Sequence, residues 1–387
     1  MNNNSNRILL TGGDTGGHIY PLVAIAEELQ KQSNETNFVI EIKFMGDSQT
    51  DSTGSNIFKQ EAGKLGIKYQ KIISPKWRRY FSIENFIDIF KFPIGLAQAL
   101  FYVWLFMPDG VFSKGGSASF LPVLAAKIFM IPLIIHESDA VPGKSNLFFG
   151  KFAKKVFLSL EKAQSYFKPG ITEVVGNPIR SEILTQRDQS VARQAFSLDP
   201  LKQTILITGA SQGSKIINNT IMLMVVELVK KFQVIHQTGP NNFKEISQQL
   251  EKIILEGKDS YGQEIQRNYR LYPLLDANQI SLAYKAADVV VSRAGSSIFE
   301  IAVAGKSTVL IPLKTSASDH QLANAKEIAK FGATIIEEDN LTPHILLNEI
   351  EKAYEKRAEL GEKIKQFSRL GAVTVIAKYL ITIVTSN

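Results

Sequence analysis

"RILLTGGDTGGHIYP" (Arg7–Pro21) sets an apolar run, Ile8-Leu9-Leu10, against a loop holding four glycines, one aspartate and a histidine. An apolar strand, a glycine-rich turn and a following helix are the start of a doubly wound α/β unit. Glycine lets main-chain N–H groups approach an anion closely, and the helix N-terminus adds about half a positive charge. His18 falls at the helix entrance, with Pro21 expected in the first turn. The positive dipole there disfavours imidazolium, so His18 is a base available near pH 7.

The same logic restarts mid-chain. "QTILITGASQGSKIIN" (Gln203–Asn218) again runs strand, glycine turn, helix. Strands are expected at Arg7–Gly12, Val39–Gly46, Gly110–Gly116, Pro132–Ser138 and Lys155–Leu160 in the first half. In the second they are expected at the start of Gln203–Asn218 and at Phe232–Gly239, Tyr269–Leu275, Asp288–Gly295, Thr308–Leu313 and Ala333–Glu338. Helical stretches such as Pro21–Gln32 and Leu121–Phe129 lie between them, which predicts parallel sheets with crossover helices. A final helical stretch, Ala372–Val384, can complete either half.

With 387 residues the chain is long for one core, so two domains are expected. Cysteine is absent, which excludes disulfides, thiolate metal sites and a cysteine nucleophile. Forty-four basic against 37 acidic side chains leave a net charge of +7, suited to phosphates or an anionic membrane face. No basic run interleaved with aromatics is long enough for a nucleic-acid groove. The most apolar segment, Phe92–Pro108, is shorter than the roughly 20 residues of a membrane span, and reads as a buried or surface-lying helix.

Neither glycine loop has the G-x-G-x-x-G spacing of a dinucleotide fold or the Walker spacing, which disfavours dehydrogenase and ordinary ATPase readings. "SRAGSSIFEIAVAGK" (Ser292–Lys306) places Glu300 early in a helix after a strand, where a carboxylate can accept hydrogen bonds from vicinal ribose hydroxyls. "SDHQLANA" (Ser318–Ala325) adds Gln321 and Asn324, amides suited to sugar hydroxyls. No Asp-x-Asp occurs, so a nucleotide-sugar enzyme of this sequence would stabilise its diphosphate with amides and cations, without a metal.

Together the blocks "TGGDTGGHIYP", "PDGVFSKGGSASFLPV", "HESDAVPGKSN", "VVGNPIR", "ITGASQGSKIIN", "SRAGSSIFEIAVAGK" and "DHQLANA" resemble, in order and over nearly the whole chain, the MurG family of glycosyltransferase family 28. That resemblance implies a GT-B fold, two Rossmann-like domains facing each other across a cleft. The expected division is 1–175 plus 370–387, an acceptor and membrane-associating domain, and 176–369, a UDP-sugar domain. It implies inverting, metal-independent transfer of N-acetylglucosamine from UDP-N-acetylglucosamine to lipid I, giving lipid II for peptidoglycan. No cofactor is implied. The enzyme would rest on the cytoplasmic face of the cell membrane, beside other cell-wall or division proteins.

The resemblance also assigns residues. The catalytic set is His18 as base, with Glu300. Donor contacts are Thr15, Gly16, Gly17, Asp139, Arg180, Ser211, Gln212, Leu275, Ser296, Ser297, Glu300, Gln321 and Asn324. Acceptor contacts are Gly13, Thr15, Gly16, Gly17, His18, Gly115 and Gly116. Two departures stand out: Asp14 where the family has glycine, and Asp139 in place of an asparagine. Trp77, Arg78, Arg79, Tyr80 and Phe81 interleave basic and aromatic groups, the pattern of a membrane interface. Two other readings remain open: a GT-B glycolipid transferase with another acceptor, and a non-catalytic nucleotide-sugar module of a split transferase.

Overall fold

Parallel strands build both halves of the chain. The structure is a computed structural model describing residues 6–13, 15–36, 38–47, 57–75, 83–316 and 319–385. The chain divides into two units, Met1–Arg180 with Arg369–Asn387, and Ser181–Ser368. Asp14 and the Trp77–Phe81 segment lie outside the described residues.

Unit 1 runs β1 (Asn6–Thr11), α1 (Gly16–Thr36), β2 (Ile40–Asp47), α2 (Ile57–Lys64), β3 (Lys68–Ile72), α3 (Ile83–Phe106) and β4 (Gly110–Ser113). It continues through α4 (Phe120–Ile128), β5 (Leu133–Glu137), α5 (Lys144–Phe149), β6 (Lys155–Leu158) and β7 (Thr172–Val174). The sheet order is β3-β2-β1-β4-β5-β6-β7, every pair parallel. The reversal between β1 and β4 is the topological switch point, where ligands of such sheets gather. β4 and β5 are buried along their whole length, which is why they read as continuous apolar runs rather than alternations. β3, with two lysines in five residues, and the three-residue β7 escape that pattern and were not expected.

α1 begins at Gly16, earlier than the sequence suggests. His18 therefore occupies its first turn and Pro21 its second, where the missing N–H leaves the Gly17 carbonyl without an i+4 donor. α3 is a long helix with Ala99, Val103 and Phe106 buried, while Phe101, Trp104 and Leu105 are more than half exposed. No described helix is long and apolar enough to cross a membrane.

Unit 2 holds α6 (Ser181–Leu184), α7 (Gln189–Ala195), β8 (Thr204–Thr208), α8 (Lys215–Lys231), β9 (Gln233–Gln237), α9 (Pro240–Glu256), α10 (Gly262–Asn268) and β10 (Tyr269–Tyr272). Then come α11 (Ala277–Ala286), β11 (Val289–Ser292), α12 (Ser297–Ala304), β12 (Ser307–Leu310), α13 (His320–Ala329), β13 (Thr334–Ile335), α14 (Pro343–Glu355) and α15 (Arg357–Lys365). Its order, β10-β9-β8-β11-β12-β13, repeats that of unit 1.

The chain then returns to unit 1 as α16 (Ala372–Thr385). Ala372, Ile376, Leu380, Ile383 and Val384 form one apolar stripe, buried with Leu22, Ile25 and Leu29 of α1 and with Ile8, Leu10 and Phe112 of the sheet. Tyr379 meets the Phe157 ring edge-on at 5.5 Å. Residues 176–180, assigned to the second domain from sequence, belong with the first. Gly176 N–H donates to Leu158 O at 3.2 Å, and the Arg180 guanidinium stacks 3.8 Å above the Tyr20 ring.

Gly176 has φ +92°, and a Cβ there would lie 2.6 Å from the Arg369 carbonyl oxygen. Gly176→Ala combines strain with a clash against rigid backbone, and should cost about 2 kcal/mol or more. A lowered urea midpoint, followed by tryptophan fluorescence, checks this; an unchanged midpoint refutes it.

Candidate active site

Three strand-end loops meet in unit 1. Between β1 and α1, the Thr15 carbonyl accepts from His18 N–H (2.9 Å) and Ile19 N–H (3.1 Å), closing the first turn. The Thr15 hydroxyl lies 2.9 Å from His18 Nδ1. After β4, Gly115 and Gly116 take φ of +79° and +89°, a conformation that suits glycine. A Cβ on Gly116 would come 2.6 Å from Gly13 Cα, and one on Gly13 would come 2.8 Å from His18 Nδ1. The structure thus brings Gly13, Thr15, Gly16, Gly17, His18 and Gly116 together, with Gly115 against the Asn146 amide.

Beneath these loops lies a buried polar cluster that the sequence reading missed. Lys114 Nζ donates to His136 Nδ1 (2.8 Å) and to Ser138 Oγ (3.0 Å). His136 Nε2 in turn lies 2.9 Å from Gly176 O, which sets the Nε2–H tautomer. Glu137 accepts from Asp139 N–H and Gly143 N–H, and from Asn146 Nδ2 at 2.9 Å. Burial holds the Lys114 ammonium down to about 8, against the pull of Glu137 and Asp139. Burial, then the Asp139 charge, pushes the Glu137 carboxyl up to about 7. Burial and the neighbouring Lys114 keep His136 neutral, well below its ordinary value. The signal lay in the sequence: a lysine and a His-Glu pair each end a strand that is otherwise apolar.

In unit 2 the loop after β8 carries Ser211 and Gln212. A Cβ on Gly213 would lie 1.9 Å from Thr238 O, and one on Gly239 2.3 Å from Gln212 O, so two loops press backbone to backbone. Ser214 caps α8, its side chain accepting from Ile217 N–H. It also accepts from Arg293 Nη2 at 2.7 Å. Arg293 is a second residue the sequence reading passed over. It donates to Ile311 O and pairs with Glu338 at 2.6 Å, both side chains nearly buried. One guanidinium therefore ties the α8 cap to the ends of β11 and β12.

The other assigned residues divide. Ser296 and Ser297 start α12, and Glu300 follows in its first turn, with the Tyr284 hydroxyl 3.3 Å from its carboxylate. Ser297 Oγ is buried and has no hydrogen-bond partner among the described residues. Gln321 Oε1 accepts from Leu313 N–H at 3.0 Å, which ties the side chain to the end of β12. Leu275 spends its N–H on Gln237 Oε1, so only its carbonyl can read a base. Asn324 is fully buried and donates to Ala294 O at 3.1 Å, so its amide nitrogen braces the 292–297 loop. Arg180, expected on the nucleotide side of the second domain, is seated in unit 1. Among the described residues no group of three or more His, Asp or Glu is placed to hold a metal ion.

Two Rossmann sheets of the same strand order, each with a glycine turn and helix entrance at its switch point, define the GT-B class of nucleotide-sugar enzymes. Residues 8–158 match the glycosyltransferase family 28 N-terminal domain and residues 204–379 the glycosyltransferase family 28 C-terminal domain. The chain belongs to glycosyltransferase family 28.

Over 365 residues it is 33% identical to the UDP-N-acetylglucosamine--N-acetylmuramyl-(pentapeptide) pyrophosphoryl-undecaprenol N-acetylglucosamine transferase of Clostridium tetani (strain Massachusetts / E88), covering 94% of each chain. The transferase of the same name from Legionella pneumophila (strain Paris) is 32% identical over 92% of both. Among solved structures, Acinetobacter baumannii MurG shares the fold, with a TM-score of 0.68 and 23% identity over 97% of this chain and 99% of that one.

Both Glu137 oxygens accept from N–H donors, so an amide at this position must set its own N–H₂ against one of them. Glu137→Gln should therefore cost about 1–3 kcal/mol. The carboxyl binds its proton more tightly in the folded chain, so its contribution to stability declines as pH rises from 4.5 to about 7. The variant should lose that slope as well. Urea unfolding at pH 5 and pH 7.5 measures both; equal stability of the two proteins refutes the assignment.

Proposed function

We propose that this protein transfers N-acetylglucosamine from UDP-N-acetylglucosamine to lipid I, with inversion, forming lipid II for peptidoglycan. The observation that carries the reading is the seating of the family blocks at the carboxyl ends of both sheets. His18 and its glycines sit at the β1/β4 switch point, and Ser211, Arg293 and Glu300 sit around β8/β11.

The chemistry follows from these groups. The acceptor hydroxyl attacks C1 of the sugar while UDP departs from the opposite face. For His18 to take the proton at Nε2, Nδ1 must carry the ring hydrogen and donate it to the Thr15 hydroxyl, 2.9 Å away. The Thr15 hydroxyl can accept that hydrogen in the tautomer that works as a base. Amides of the 209–214 loop and the α8 dipole stabilise the leaving diphosphate, and Glu300 receives the ribose hydroxyls. Metal independence is part of the proposal: cationic and amide groups of the chain carry the charge that a metal would otherwise meet. His18→Ala should lower kcat by about 10²–10⁴ with donor binding retained, while EDTA should leave wild-type turnover unchanged. Product from a short-chain lipid I analogue reads out both. Full turnover by the His18 variant ends the base assignment, and turnover only on another lipid moves the protein to a different acceptor.

A lipid-linked acceptor requires contact with the membrane surface, which we place at the cytoplasmic face. Besides Trp77–Phe81, the support is the outward face of α3, where Phe90, Ile94, Phe101, Trp104 and Leu105 are each more than half exposed. Such a patch marks an interaction surface. Phe101→Asp with Trp104→Asp should reduce flotation with anionic vesicles and spare turnover on a water-soluble acceptor; undiminished flotation rules this face out.

A further inference from the structure

At the carboxyl ends of β4 and β5 one buried cation lies within the field of two carboxyl groups. Lys114 is 2% exposed, and its ammonium is anchored on His136 Nδ1 and Ser138 Oγ. Burying an ammonium is costly unless a paired charge offsets it, so an apolar side chain would fill this space at less cost. The charges that favour the ammonium are Glu137 and Asp139, and His136 is neutral beside it. Ser138, the second anchor, directly precedes Asp139, whose N–H is in turn held by Glu137. The far end of the loop, Gly143 N–H, is held by the same carboxylate. Lys114 also lies under the anion-type cradle: a Cβ on Gly12 would stand 3.3 Å from Lys114 Cβ, and Gly115-Gly116 follow it directly.

We propose that Lys114 is a positioning and charge-balancing residue of the unit 1 site. It anchors Ser138 at the head of the loop that Glu137 closes, and its charge offsets the negative field of Glu137 and Asp139 where a diphosphate-bearing acceptor would lie. The inference rests on the reading of this unit as the acceptor side. Its signature is a charge count. Removing the cation should weaken the acceptor alone, and removing one carboxylate with it should restore binding.

The test measures KM for a lipid I analogue, KM for UDP-N-acetylglucosamine, kcat and the melting temperature in wild type, Lys114→Met, Asp139→Asn and the double variant. Lys114→Met should raise the acceptor KM about tenfold, Asp139→Asn should lower it about threefold, and the double variant should return to within about threefold of wild type. Donor KM should stay level between Lys114→Met and wild type. A double variant that keeps the full defect of Lys114→Met overturns the proposal, as does a defect spread equally over both substrates and kcat. If Lys114→Met does not fold, Asp139→Asn decides alone, since an unchanged or raised acceptor KM contradicts the charge count. A wild-type protein inert toward lipid I analogues would instead refute the underlying transferase reading.

Discussion

Everything functional in this fold depends on backbones that touch where a side chain would hold them apart. Gly116 lies against Gly13 in unit 1, and Gly213 and Gly239 lie against Thr238 and Gln212 in unit 2. Each contact sits where neighbouring parallel strands release their chains, at the β1/β4 switch point in unit 1 and between β8 and β9 in unit 2. Closing the gap exposes a rim of peptide N–H groups and a helix entrance to whatever anion arrives. The conformational entropy lost by ordering these glycines is the cost of that rim. The strands beneath, buried on both faces, make the platform rigid enough to hold it.

Charge is handled differently in the two units. Unit 1 hides a lysine, a neutral histidine and a carboxylate under its glycine rim, each satisfied by named partners. Unit 2 uses a single arginine to bind a helix cap, a strand-end carbonyl and a glutamate at once. A planar guanidinium with several donors suits that branching role, whereas a lysine serves as a point charge that can be tuned by burial. Both arrangements place their cation just below the loops and leave the ligand-facing layer to amides and hydroxyls.

Much of this was legible in the sequence. The doubly wound class, the duplication and most strand positions follow from apolar runs ending in glycine. The places of His18, Ser211 and Glu300, at strand-end loops and helix starts, follow from ordered blocks. What the sequence withheld depends on lateral contacts between strands. Lys114 and His136 are neighbours only because β4 pairs with β5 in this register. The tie from the Asn324 amide to Ala294 O is likewise invisible in a polar helix start, since it depends on how α13 packs on the loop after β11. Arg180 was placed in the wrong unit because "GNPIR" carries no marker of the side on which the seam falls, whereas the Tyr20 ring does. Short, charged β3 and the three-residue β7 lacked the periodicity that reveals a strand.

The return of α16 to unit 1 has a consequence for biosynthesis. Unit 2 is one unbroken stretch of chain, Ser181–Ser368, inserted into a unit whose own core needs Ala372 through Val384. On a ribosome, the inserted unit can close its core as soon as it has emerged. The earlier-made unit must wait with an uncovered strip of α1 and sheet until Ala372–Val384 have followed the inserted unit. Order of synthesis and order of completion are therefore reversed, and the half that carries His18 is the last to become whole.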